Sequence, residues 1–98
     1  MGYFVYILHS EKLDRYYTGS TTNIDLRLDF HTNAERHKFT YKANDWILVF
    51  NLECDSKLQM LAIEKHIKAM KSKTYIRNLM QYPEIAAKLK TQYSDYSI

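Results

Sequence analysis

Residues Tyr3 to Leu8 form an unbroken apolar run rich in β-branched and aromatic side chains. That pattern predicts a strand covered on both faces. Alternation puts Phe4, Tyr6 and Leu8 on one face and Tyr3, Val5 and Ile7 on the other. The polar stretch Ser10 to Asp14 suits a hairpin loop, and Arg15 to Ser20 returns as a second strand with Tyr17 and Gly19 facing the same way. A glycine late in a strand often marks close approach of a ligand or of other backbone. Thr21, Thr22 and Asn23 offer helix caps, so Ile24 to His31 reads as a short amphipathic helix. The polar, basic residues 32–45 read as a long loop, and Trp46 to Leu52 as a third strand apolar enough to be central.

Asp55 or Ser56 caps a main helix running from Lys57 to about Met70. Met60, Ile63, Ile67 and Met70 form its buried arc at helical spacing. Lys71 to Thr74 interrupts the pattern, Tyr75 to Tyr82 forms a short helix, and Pro83 starts another that ends near Tyr93. Residues 94–98 read as a frayed tail. The expected fold is α+β in a single domain, 1–98 with a core of about 3–90. A small three-stranded antiparallel sheet is flanked by helices, a ββαβα core with further C-terminal helices.

Composition narrows the chemistry. Ninety-eight residues fit one core, and two glycines and one proline leave no material for a linker or a glycine-rich phosphate loop. The single cysteine, Cys54, excludes an internal disulfide and reads as a buried apolar residue. His9, His37 and His66 lack the clustered spacing of a zinc site. No run approaches the roughly 20 apolar residues needed to span a membrane, and the N-terminus lacks the marks of a signal peptide, so a cytoplasmic protein is expected. Nine tyrosines stand against one tryptophan and four phenylalanines, and the net charge of +3 permits a polyanionic partner.

Glu64 carries the best single hint. It falls between Ile67 and Leu61 on the helical wheel, at the edge of the apolar arc, where a carboxylate is costly to desolvate without a partner. Arg27 and His31, four apart, share a helix face. Each feature also has a plain structural reading. Tyr6 and Tyr17 would be strand aromatics, and Arg27 and His31 a solvated helix face. Glu64 would be an i,i+4 ion pair with Lys68, and Lys68 to Lys73 ordinary surface.

Taken together, Val5-Tyr6-Ile7, then Tyr17-Thr18-Gly19, then Arg27, His31 and Glu64 resemble the GIY-YIG nuclease domain of excision-repair nucleases and homing endonucleases. Tyr17 to Thr21 with Asn23, Arg27-Leu28 and His31 is similar to its small single-domain bacterial branch. So is the stretch from Tyr41 to Trp46, and so are the later residues Ala62, Glu64, Ile67-Lys68, Lys71 to Lys73 and Tyr75-Ile76. The likeness runs from about Tyr3 to Leu89. Phe4 replaces the glycine that names the first motif, Thr18 the isoleucine of the second, and Thr74 a residue more often basic.

The resemblance implies an endonuclease that hydrolyses phosphodiester bonds in DNA and has a link to DNA repair. It implies one divalent cation, Mg2+ or Mn2+, held by Glu64. Arg27 would bind the scissile phosphate, Tyr6 would serve as general base with Tyr17 orienting water or phosphate, or the reverse, and His31 would relay the proton. Free tyrosine ionises near pKa 10, so such a base needs a neighbouring positive charge. Asn78 would approach the metal or the phosphate. Lys38, Lys42, Lys68, Lys71 and Lys73 would bind the nucleic-acid backbone in a salt-sensitive manner. The four groups Tyr6, Tyr17, Arg27 and Glu64 are expected on one concave face. The alternative is a nucleic-acid-binding module that keeps the fold without cutting; a protein-interaction domain ranks behind both.

Overall fold

The computed structural model describes residues 2–23 and 45–94. The expected helix Ile24–His31, residues 32–44 of the long loop after it and residues 95–98 of the expected tail lie outside these residues, as do Arg27, His31, Lys38 and Lys42. Three antiparallel strands form one sheet: β1 (Tyr3–Ser10), β2 (Arg15–Thr21) and β3 (Ile47–Cys54), in the order β2-β1-β3. Three helices follow, α1 (Lys57–Met70), α2 (Lys73–Gln81) and α3 (Pro83–Gln92). The fold is the α+β arrangement expected.

β1 is the central strand, and its middle side chains are sealed on both faces: Val5, Tyr6, Ile7 and Leu8 are all essentially inaccessible. Val5 and Ile7 point into the main core, where Met60, Ile63 and Ile67 of α1 meet Ile76, Leu79 and Leu89 of the later helices. Tyr6 and Leu8 point the other way, onto Trp46, with Tyr17 and Leu48 alongside. Burying each large apolar side chain contributes roughly 1.5–3 kcal/mol, so both layers matter to stability.

The expectation that the third strand is central is corrected. β3 is an edge strand among the described residues, begins after Trp46, and leaves Ile47, Asn51 and Glu53 exposed. A register shift against Ile7 and Leu8 lets Val49 and Phe50 both pack toward the main core while Leu48 serves the other face. Apolarity of the run therefore reflects double-sided packing at an edge. Two further expectations change: Met70 leaves the arc and is 45% exposed, and α2 starts at Lys73, inside the expected break, and ends at Gln81, with Tyr82 at the start of α3.

The helices are fixed by polar devices. Ser56 caps α1 by accepting from the Gln59 amide, and Ser72 caps α2 by accepting from the Tyr75 amide. The wholly buried Gln59 accepts from the Asp55 amide at 2.6 Å and donates to the Lys90 carbonyl at 3.0 Å, tying α1 to α3. His66 joins all three helices through Tyr93 Oη at 3.0 Å and Tyr75 Oη at 3.2 Å. Burial pushes the Tyr75 phenol up. Cys54 is buried and free, and burial pushes its thiol up as well. No described helix is long and apolar enough to cross a membrane.

Candidate active site

The site begins at the β1–β2 hairpin. Asp14 turns the chain with a left-handed φ of 49°, and Asp45 closes the loop by accepting from Ser10 Oγ at 2.6 Å and the Lys12 amide at 2.8 Å. The Ser10 hydroxyl, followed by the Lys12 amide, holds the Asp45 carboxyl below the usual carboxylate range. With the turn set, the ladder pairs Tyr6 with Gly19, Val5 with Ser20 and Leu8 with Tyr17.

Pairing partners share a face, so Tyr6, Gly19 and Tyr17 lie on one side of the sheet and Ser20 on the other. The Tyr6 ring crosses directly over Gly19. A Cβ added there would sit 2.5 Å from Tyr6 Oη and 2.6 Å from its Cζ, so only glycine admits this path. The ring centroids of Tyr6 and Tyr17 are 6.3 Å apart and tilted by 39°, within the range of favourable aromatic pairs. The tyrosine hydroxyl thereby reaches past the central strand to the edge strand.

Glu64 reaches the same strand from the opposite face. Ser20 Oγ donates to Glu64 Oε1 at 2.7 Å, and Lys68 Nζ pairs with Oε2 at 2.8 Å. The Glu64 side chain is only 16% exposed, and these two partners offset the cost of desolvating it. The ion pair with Lys68 thus exists, and it is half of the arrangement. The expectation that the tyrosines and Glu64 share one concave face is corrected: they approach β2 from opposite faces and meet it at the consecutive residues Gly19 and Ser20.

One hard cation fits this carboxylate. Each oxygen has two lone pairs, so capacity remains on both after the bonds to Ser20 and Lys68. Among the described residues no group of three or more His, Cys, Asp or Glu side chains could hold a metal. A cation here would depend on Glu64, substrate oxygens and water, the manner of binding that magnesium favours.

Lys68, Lys71 and Lys73 come together around a cleft of about 520 Å³ between β2 and the α1–α2 junction. Arg15 joins them, a residue that sequence reasoning passed over because a charge at a strand start reads as surface. Lys73 Nζ bonds to the Asp14 carbonyl at 2.8 Å and to its carboxylate at 3.1 Å, docking α2 on the hairpin turn. The Lys73 ammonium holds the Asp14 carboxyl below its ordinary range. Asn78 is half-buried in the second turn of α2, with its carbonyl capping Tyr82; among the described residues no hydrogen bond joins its side chain to Glu64.

Residues 2–78 match the family model of the GIY-YIG catalytic domain. The fold is similar to the solution NMR structure of a UPF0213 protein from Bacillus halodurans, with a TM-score of 0.52 and 28% sequence identity over 83% of this chain and 84% of that one. No curated protein matches the chain significantly. The family match spans most of the molecule, from the hairpin through Glu64 to α2. The chain therefore belongs to the GIY-YIG catalytic domain family, whose members are nucleases acting on nucleic acid.

Proposed function

We propose that the protein is a divalent-metal-dependent endonuclease that hydrolyses phosphodiester bonds in DNA, is selective for DNA structure, and serves DNA repair or processing in the cytoplasm. One observation carries the reading: the Tyr6 ring over Gly19 and the Glu64 carboxylate on Ser20 meet at adjacent residues of β2. A strand is one residue wide, so the half-buried Tyr17 beside the buried Tyr6 on one face, and Glu64 on the other, flank a phosphate lying along its outer edge.

Glu64 would hold the cation, Mg2+ or Mn2+, which when bound supplies Lewis acidity toward the phosphate and the leaving oxygen. Tyr6 takes a proton from the attacking water and Tyr17 orients that water or the phosphate, or the reverse. Arg27 neutralises the phosphate through its planar fork, and His31 receives the tyrosine proton. As oxygen from water bonds to phosphorus, the bond to the leaving oxygen breaks. Ser20 and Lys68 fix the Glu64 rotamer, and Asn78 approaches the phosphate from α2. Lys38, Lys42, Lys68, Lys71 and Lys73 contact flanking phosphates. Among the described residues the cations line a cleft beside a strand edge, which supports selectivity for structure over sequence.

Nicking of supercoiled and branched DNA with and without magnesium tests the proposal. Wild type should cut only with the metal, and Glu64→Ala should lose at least about 10²-fold in rate, as expected when a charge-stabilising group is removed. Equal cutting by wild type and Glu64→Ala sinks the assignment of this site. Salt-sensitive binding with no cutting by either would make the protein a binding module.

A further inference from the structure

The cleft between β2 and the α1–α2 junction has a character that phosphate binding alone does not explain. Its rim is cationic, with Arg15, Lys68, Lys71 and Lys73. Glu64 pairs with Lys68 and Asp14 with Lys73, and among the described residues Arg15 and Lys71 carry no ion pair. Four cations facing two carboxylates leave positive charge over. Lys71 also holds a left-handed conformation, φ 48° and ψ 40°, at the end of α1, where glycine is the usual residue. Placing a lysine there costs backbone strain, and such strain concentrates at functional positions.

The floor is different. Its accessible apolar part is the half-buried Tyr16 ring, held against His9 at 4.6 Å between centroids, with the nearly inaccessible Ile67 and Ile76 beneath. A volume of about 520 Å³ lies in the ordinary range of small-ligand pockets, which pair an apolar lining with a few placed polar groups. Duplex DNA offers its phosphates to such a rim but keeps its bases stacked inside, leaving the floor uncovered. An unpaired nucleotide offers both a flat apolar base and a phosphate. The cleft is also continuous with the candidate site, because Lys68 on its rim pairs with Glu64.

We propose that this cleft takes an unpaired nucleotide of the DNA substrate, its base on Tyr16 and its phosphates on Arg15, Lys71 and Lys73. The inference rests on the nuclease reading and deepens it: the preferred substrate has a single-stranded stretch beside the cut. Base–aromatic stacking supplies the affinity that a paired strand cannot gain here.

The test measures binding without cutting, by fluorescence anisotropy in the presence of chelator. Three labelled probes of equal length are compared: oligo-dT, a duplex, and an abasic strand with the same phosphates and no bases. The oligo-dT should bind roughly tenfold or more tighter than the abasic strand. Arg15→Gln and Lys71→Gln should weaken oligo-dT binding and each lower its salt slope by about one. Lys88→Gln, on the exposed face of α3, should leave binding unchanged. Equal affinity for oligo-dT and the abasic strand, or tighter binding of duplex, overturns the proposal. Nicking is scored separately, so cutting without a preference for unpaired bases refutes the cleft alone. The converse, preference without cutting, refutes the nuclease reading alone.

Discussion

Replacing Gly19 by alanine tests whether the Tyr6 ring really crosses the edge strand. The new methyl carbon would lie 2.5 Å from Tyr6 Oη, 2.6 Å from Cζ and 3.1 Å from Cε2, against 3.4–4 Å for ordinary contact. Tyr6 is 1% exposed and wedged with Leu8 and Trp46, so the ring has no empty space to enter. Overpacking of this kind costs typically about 1–3 kcal/mol. Loss of glycine's freedom in the unfolded chain offsets roughly 0.4–1 kcal/mol of that. A net cost of about 1–2 kcal/mol lowers Tm by about 4–16 °C in a domain of this size. Urea and thermal unfolding would read the loss. A double-mutant cycle with Tyr6→Leu identifies its cause, because leucine lacks all three clashing atoms. Gly19→Ala should then cost at least about 1 kcal/mol less in the Tyr6→Leu background than in wild type. Additivity within about 0.5 kcal/mol would refute the close approach.

Two further outcomes follow from the same geometry. Ser20→Ala removes the hydroxyl that fixes Glu64 Oε1 and leaves Lys68 in place; nicking should fall about tenfold, less than for Glu64→Ala, with Tm little changed. Asp45→Asn should destabilise the hairpin turn at neutral pH. The Asp45 carboxyl is depressed on folding, first by Ser10 and then by the Lys12 amide, so its contribution is present above the ordinary value of about 3.9 and fades as pH falls through the folded value. The gap in stability between wild type and Asp45→Asn, followed by urea unfolding across pH, should therefore narrow below about pH 4 and stay constant above pH 5.

Much of the fold was legible because strand alternation and helical spacing are local signals. The double-sided apolar run of β1 and the arc of Met60, Ile63 and Ile67 needed no knowledge of neighbours. The position of β3 was not legible. An edge strand whose inner face meets helices and whose outer face meets Trp46 is as apolar as a central one. Period-two alternation also put Tyr17 and Gly19 on one face of β2, and the edge of the arc singled out Glu64; that Tyr6 shares the face of Tyr17 and Gly19 follows from the hairpin register. What alternation could not convey is that Glu64 would meet Ser20. A serine hydroxyl on a strand carries no signal of its partner 44 residues later. Arg15 was missed for a related reason, since its importance comes from the cleft that α2 completes. Placing tyrosines and carboxylate on one face assumed that a site must be a face; at the edge of a sheet it need not be.

With Glu64 as the proposed protein ligand, a divalent ion is expected to bind beside Gly19 and Ser20 on β2. Titrating Mn2+ into isotope-labelled protein and following the amide proton–nitrogen correlation spectrum tests it without any need for activity. Paramagnetic broadening should first erase the amides of Gly19, Ser20 and Glu64, and Glu64→Ala should abolish that pattern while leaving the rest of the spectrum in place. Broadening centred on Asp14, Asp45 or Asp55, or a pattern unchanged by Glu64→Ala, would place the ion elsewhere and refute Glu64 as its ligand.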